Sequence, residues 1–294
     1  MTSEELIQRV RRIEIKTHGL SKQIFAGEYH SQFKGKGMAF SEVREYQLGD
    51  DVRSIDWNVT ARLNKPYIKV FEEERELTVM LLIDVSGSRN FGTVSQMKRD
   101  MMVEIAATLA FSTIENNDKV GVIFFSDKIE KYIPAKKGKQ HVLRIIRELI
   151  EFQPESAGTD IAQALQYFSN AQKRRCTAFL ISDMMGSTVM EKGKLRMEQP
   201  LLIAQNRHDL QVVQVYDRRD AELPDVGLLK LKDAETGERN WIDTSVKAVR
   251  DAYSSSWQTQ QTALEELYVR TGTHAVSVRT DEDYVKALMR LFKI

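Results

Sequence analysis

The spacing of apolar and polar positions changes character twice along the chain. Up to about Leu20, apolar Leu6, Val10 and Ile13 recur at helical spacing among charged residues, which predicts an amphipathic helix. From Phe25 to Glu76 the apolar runs are short and alternating. They are broken at Gly27, Gly35, Gly37, Gly49-Asp50-Asp51 and Asn64-Lys65-Pro66, the pattern of several short strands in a small antiparallel β-element. From Leu77 onward, strand and helix patterns alternate. Strands are predicted at Val79 to Asp84, Val120 to Phe125, Ile129 to Ile133, Ala178 to Ile181, Gln211 to Tyr216 and His274 to Val278. Helices are predicted at Val94 to Ile114, Gln140 to Ile150 and Asp160 to Ala171, then before Arg207, up to Arg270, and from Asp281 to Phe292 with Thr280 as its N-cap.

Strand and helix repeating in this way imply right-handed crossovers and a doubly wound, mostly parallel α/β sheet. The expected organisation is an N-terminal helix and β-extension over residues 1–76 and an α/β domain over residues 77–294. A β-hairpin is inserted near residues 227–243, after the fifth core strand.

The chain of 294 residues is long enough for a full-sized core, and its 43 basic against 42 acidic residues argue against a dedicated nucleic-acid or membrane-surface protein. Cys176 is the single cysteine. It excludes an internal disulfide and multi-cysteine zinc sites, and reads as a buried thiol beside a strand in a reducing compartment. The charged N-terminus cannot serve as the core of a secretory signal, and no apolar run reaches the roughly 18 residues of a membrane span. A cytoplasmic location is expected.

The candidate chemistry lies where the apolar run Val79-Met80-Leu81-Leu82-Ile83 ends in Asp84-Val85-Ser86-Gly87-Ser88. In an open α/β sheet the functional crevice lies past the carboxyl ends of the strands, and alternation aims Asp84, Ser86 and Ser88 to one side. Gly158-Thr159-Asp160 opens a helix and adds a hydroxyl; Ile181-Ser182-Asp183 ends another strand and adds a second carboxylate. An oxygen-only set of this kind suits Mg²⁺, with Mn²⁺ or Ca²⁺ as substitutes. If the hydroxyls ligate directly and Asp84 and Asp183 act largely through water, the ion stays poorly neutralised and attracts an outside carboxylate. Thr159 or Asp160 equally serves as a helix N-cap.

Asp84-x-Ser86-x-Ser88, Thr159 and Asp183 resemble the metal-ion-dependent adhesion site of von Willebrand factor A-type domains, with all five positions filled in order. The run Phe25-Ala26-Gly27-Glu28-Tyr29, Phe33 to Gly37, Val43-Arg44-Glu45-Tyr46, Gly49 to Arg53, Ile55-Asp56-Trp57 and Ala61-Arg62 resembles the bacterial family called domain of unknown function 58. The resemblance implies a von Willebrand A-like domain with a β-extension, acting as a non-catalytic, metal-dependent protein-interaction module. It also implies a MoxR-type AAA+ ATPase as partner. The competing reading is an enzyme: Ser86, Asp183 and His208 follow the chain order of α/β-hydrolase triads, and Asp84 is a candidate phosphotransfer nucleophile. A nucleophile elbow, however, needs glycine where this chain has Asp84. Arg53, Asp56, Trp57 and Arg62 form either a docking surface or salt bridges that pin the β-element.

Overall fold

The computed structural model describes residues 5, 8, 10–14, 39–72, 77–93, 96–187, 190–191, 194–232, 234 and 237–292. Contacts divide the chain into two units, His30–Leu77 and the combination of Met1–Tyr29 with Thr78–Ile294. In the helical turn at residues 10–14, Ile13 is buried and Glu14 pairs with Lys139 at 2.5 Å.

In the smaller unit, β1 (Ala39–Glu45) pairs antiparallel with β2 (Tyr67–Glu72). Between them a 3₁₀ turn (Val52–Ser54) leads into α1 (Trp57–Leu63), where alternation had predicted only strands. Side-chain caps decide the matter locally. Asp56 Oδ1 accepts from the amides of Asn58 and Val59, satisfying two donors of the first helical turn, and Asn64 ends the helix at a left-handed φ of 55°. The expected motif segments before residue 39 lie outside the described residues.

The larger unit is built on six strands: β3 (Thr78–Asp84), β4 (Lys119–Phe125), β5 (Ile129–Lys136), β6 (Thr177–Ser182), β9 (Asp209–Tyr216) and β12 (His274–Arg279). They lie in the order β12-β9-β6-β3-β4-β5, all parallel except β5, which returns antiparallel to β4. Two antiparallel pairs lie outside this sheet: the two-residue strands β7 (Met190–Glu191) and β8 (Lys194–Leu195) after β6, and the hairpin strands β10 (Leu228–Lys232) and β11 (Arg239–Asp243) after β9. The helices are α2 (Lys98–Glu115), α3 (Lys139–Glu151), α4 (Ile161–Ala171), α5 (Glu198–Arg207), α6 (Arg218–Ala221), α7 (Lys247–Thr271) and α8 (Tyr284–Phe292).

β3 is buried on both faces, as its unbroken apolar run requires. Met80 and Leu82 join a core with Leu165 and Phe168 of α4, Leu201 of α5 and Leu264 of α7. Val79, Leu81 and Ile83 face the other way, toward the side on which α2 crosses the sheet. The chain runs from β3 outward to β4 and β5 and then returns to β6 on β3's other side, so the order reverses between β3 and β6. Ligand crevices of open α/β sheets lie at such reversals, past the carboxyl ends.

Two expectations need correction at the ends of elements. Val94 lies outside the described residues, and α2 begins at Lys98. Thr280 does not cap α8, which begins at Tyr284; its hydroxyl donates to Asp217 Oδ2 at 2.8 Å, while Asp283 accepts from the Val285 amide.

Cys176, just before β6, is buried against His208, with Sγ and Nδ1 3.5 Å apart, and burial pushes its thiol up to about 12. At pH 8 only about one molecule in ten thousand then carries the reactive thiolate. Alkylation by iodoacetamide is expected to be at least about a hundredfold slower in the native protein than after denaturation, measured by mass spectrometry.

Candidate functional site

At the reversal point, β3 ends in Asp84 and β6 ends in Ser182, followed by Asp183. Asp84 is 1% exposed, and both of its oxygens are held: Oδ1 accepts from the Ser86 amide at 2.9 Å and Oδ2 from the Ser182 hydroxyl at 2.6 Å. Burial first, and the neighbouring Asp183 charge second, push its carboxyl up to about 6, against the pull of those hydrogen bonds. The chain then turns through a short 3₁₀ segment (Gly87–Asn90), which brings the Ser86 and Ser88 hydroxyl oxygens within 2.9 Å of each other.

The loop carrying Thr159 is fastened to this turn by its backbone, the Gly87 amide donating to the Ala157 carbonyl at 2.9 Å. Thr159 is half-buried and shares a small cavity with Gly186, Ser187 and Arg196. The capping work falls to Asp160, which accepts from the Gln163 amide at 3.0 Å and pairs with Arg196 at 2.6 Å. Gly87 is the tightest point of the arrangement. A Cβ there would lie 2.5 Å from the carbonyl oxygen of Ala234, in the tip of the β10–β11 hairpin, and 3.3 Å from the Ala157 side chain.

Asp183 completes the set from the other strand, but it is not alone. Its Oδ1 accepts from the Met185 amide at 3.1 Å, and its Oδ2 accepts from the Lys98 ammonium at 2.7 Å. Lys98 is 1% exposed and also reaches Asp220 Oδ2 at 3.2 Å. Burial works against this ammonium, yet Asp183 and Asp220 together hold its pKa above the ordinary lysine value. At Asp220 burial prevails over Lys98 and raises the carboxyl. Removing one member of a buried pair costs about 3–5 kcal/mol, because the other charge is left uncompensated. Asp217, at the end of β9, extends the network by accepting from Thr93 Oγ1 at 2.6 Å and Thr280 Oγ1 at 2.8 Å. Arg89, just after the serines, is 2% exposed and donates to the Phe152 carbonyl at 2.8 Å, so it turns into the body rather than toward a partner.

Of the five residues singled out by sequence, Asp84, Ser86 and Ser88 form one hydrogen-bonded turn, Asp183 stands close enough to shift Asp84, and Thr159 enters on a loop bonded to that turn. Sequence reasoning missed Lys98 and Asp220. Hydropathy hides Lys98, because the four-residue spacing of Met97, Met101, Ile105 and Leu109 puts Met97 rather than Lys98 on the apolar stripe. Met97 is 50% exposed, and the buried set runs Lys98, Met101, Met102, Ile105 and Leu109. His208 caps α5 at the amino end of β9, whereas Ser86 follows the carboxyl end of the parallel β3. Roughly 20 Å of strand separates those two edges.

The family model described as "Protein of unknown function DUF58" matches residues 42–263. The chain belongs to this family. It is 30% identical over 288 residues to Uncharacterized protein Rv1480 of Mycobacterium tuberculosis, covering 97% of this chain and 88% of that protein. It is 29% identical over 109 residues to Uncharacterized protein YeaD of Bacillus subtilis, which spans 37% of this chain and 25% of that one. Among solved structures, the DUF58 chain is similar to an aerotolerance-related membrane protein from Bacteroides fragilis NCTC 9343. The TM-score is 0.50 and the identity 16%, covering 74% of this chain and 98% of that one. The SpRpn10 VWA domain is a more distant likeness, with a TM-score of 0.36 and 14% identity over 74% of this chain and 94% of that one. The six-stranded, mostly parallel sheet with flanking helices is an α/β fold of the doubly wound kind expected from the alternating pattern. Among the described residues, no helix is long and apolar enough to cross a membrane.

An adhesion-site ion can be tested against the residues present. The donors are all oxygens, two of them hydroxyls already converging at 2.9 Å, which fits a small hard divalent cation. Among the described residues no three His, Cys, Asp or Glu side chains are grouped to hold a metal, so an ion here depends on the hydroxyls. The carboxylates supply less negative charge than their number suggests, because Lys98 already neutralises Asp183.

Gly87→Ala is expected to move the hairpin tip, since a two-stranded ribbon gives way more readily than the central sheet. Limited trypsin digestion should cut faster after Lys232 and Arg239 in the variant, with the core fragments unchanged. Equal cleavage rates would show that the tip does not bear on Gly87.

Proposed function

We propose that this DUF58 chain is a non-catalytic protein-interaction module whose contact point is a divalent ion, Mg²⁺ in the first instance, held by Asp84, Ser86, Ser88, Thr159 and Asp183. The observation that carries this reading is the paired hydroxyls of Ser86 and Ser88 beside a buried carboxylate at the reversal point of the sheet. Both Asp84 oxygens are engaged by protein donors, so Asp84 orients the turn and contributes charge. When bound, the ion supplies an open coordination position for a carboxylate from outside. Ser86 and Ser88 offer neutral oxygens, and a site built on neutral donors leaves the charge needed to attract an acidic partner. The proposed partner is a protein presenting Asp or Glu; family resemblance points to a MoxR-type AAA+ ATPase, and a cytoplasmic setting is part of the same proposal.

The hydrolase reading finds little support in the same geometry. Ser86 contacts another serine rather than a base, and the His208 ring is buried against Phe168 at the opposite edge of the sheet.

Calorimetric titration of Mg²⁺ and Mn²⁺ into metal-stripped protein is expected to give saturable binding. Asp84→Ala should abolish it, and Ser86→Ala should weaken it by about tenfold to a hundredfold. Capture of the ATPase should require the metal and should fail in both variants while the fold persists by circular dichroism. Turnover of generic ester or phosphate substrates, lost in Ser86→Ala or Asp84→Ala, would instead establish an enzyme.

A further inference from the structure

We propose that Lys98 is a resident counter-cation that competes with a divalent ion for Asp183, and that Asp220 tunes the competition by offering the ammonium a second place. The inference rests on the metal reading above and concerns two residues that lie outside the five-residue set.

Lys98 opens α2, an 18-residue helix whose amino end faces the carboxyl edge of the sheet. A cation in the first turn of a helix is opposed by the helix dipole, and one that is 1% exposed has no water to fall back on. Its position is therefore set by its carboxylates, Asp183 at 2.7 Å and Asp220 at 3.2 Å, with the Phe91 ring 5.7 Å away. An ammonium and a divalent ion drawing on one carboxylate repel each other strongly where dielectric screening is weak. Metal entry then requires the ammonium to give up part of its hold on Asp183. Only a short displacement is needed, because Asp220 already lies within reach on the other side.

Asp220 also accepts from the Asp217 amide at 2.8 Å in the capping box of α6. Asparagine can retain that bond through its carbonyl oxygen while losing the charge. Asp220→Asn thus leaves Lys98 with Asp183 as its charged partner and makes it the stronger competitor. Lys98→Met removes the competitor.

The test is calorimetric titration of Mn²⁺ into the full chain and both variants. Asp220→Asn is expected to bind about tenfold to a hundredfold more weakly than the parent, and Lys98→Met more tightly by a comparable factor. Opposite signs are the decisive readout, since residues that merely support the fold would weaken binding in both cases. If Lys98→Met does not fold without metal, Lys98→Gln, which keeps a hydrogen-bond donor for the buried carboxylates without the charge, takes its place and should likewise bind Mn²⁺ more tightly than the parent. Equal binding by all three proteins, or weakening in both variants, would overturn the role of Lys98 while leaving the metal site in place. Absence of Mn²⁺ binding in every folded form would overturn the metal reading and this inference together.

Discussion

Charged groups left alone where water does not reach are expensive, and the carboxyl edge of this sheet is organised around that constraint. Asp84, Asp183 and Asp220 converge there on the ends of three different elements, and Lys98 is the cation that lets the last two be buried together. The remainder follows from keeping this group intact. The amino end of α2 must carry Lys98 to Asp183 just past β6, α6 must bring Asp220 back after β9, and Asp217 must tie the loops that carry Thr93 and Thr280 to the same edge. A lysine that looks like an ordinary polar start to a buried helix is in effect a structural bolt.

The opposite edge of the sheet shows what happens without such a requirement. Cys176, His208 and Phe168 pack there as an inert cluster, with the thiol raised and the imidazole lowered, in each case chiefly by burial. The same parallel strands therefore carry charge and hydroxyls at one end and a quiet apolar contact at the other. The two ends differ because loops at the carboxyl end approach from several strands at once, whereas the amino end near His208 is closed by the α5 to β9 connection.

Much of this was legible in the sequence because the strongest signals were also the most local. The run from Val79 to Asp84 announced a central strand, and the alternation of strand and helix after it gave the mostly parallel sheet. Asp84, Ser86 and Ser88 needed only two-residue periodicity to be placed together. Harder to read were features decided by competition between local preferences. The stretch around Ile55-Asp56-Trp57 alternates like a strand, but Asp56 is a strong enough cap to turn it into a helix. Thr280 has the right identity for a cap and yet donates to Asp217, a partner 63 residues away. Lys98 was hidden for a different reason: hydropathy assigns lysine to solvent, and only knowledge of Asp183 and Asp220 arriving from distant segments makes its burial reasonable.

The contact between Gly87 and Ala234 has a consequence for how the chain can change over time. Position 87 belongs to the serine turn by sequence, but the space above it belongs to the hairpin, whose tip fills the place a Cβ would occupy. A side chain at 87 and the present hairpin cannot both be kept as they are. Lengthening, shortening or re-aiming the hairpin redefines what position 87 can carry, and a residue larger than glycine there demands a different hairpin. The insertion and the turn are thus inherited as one part, although some 140 residues of chain separate them.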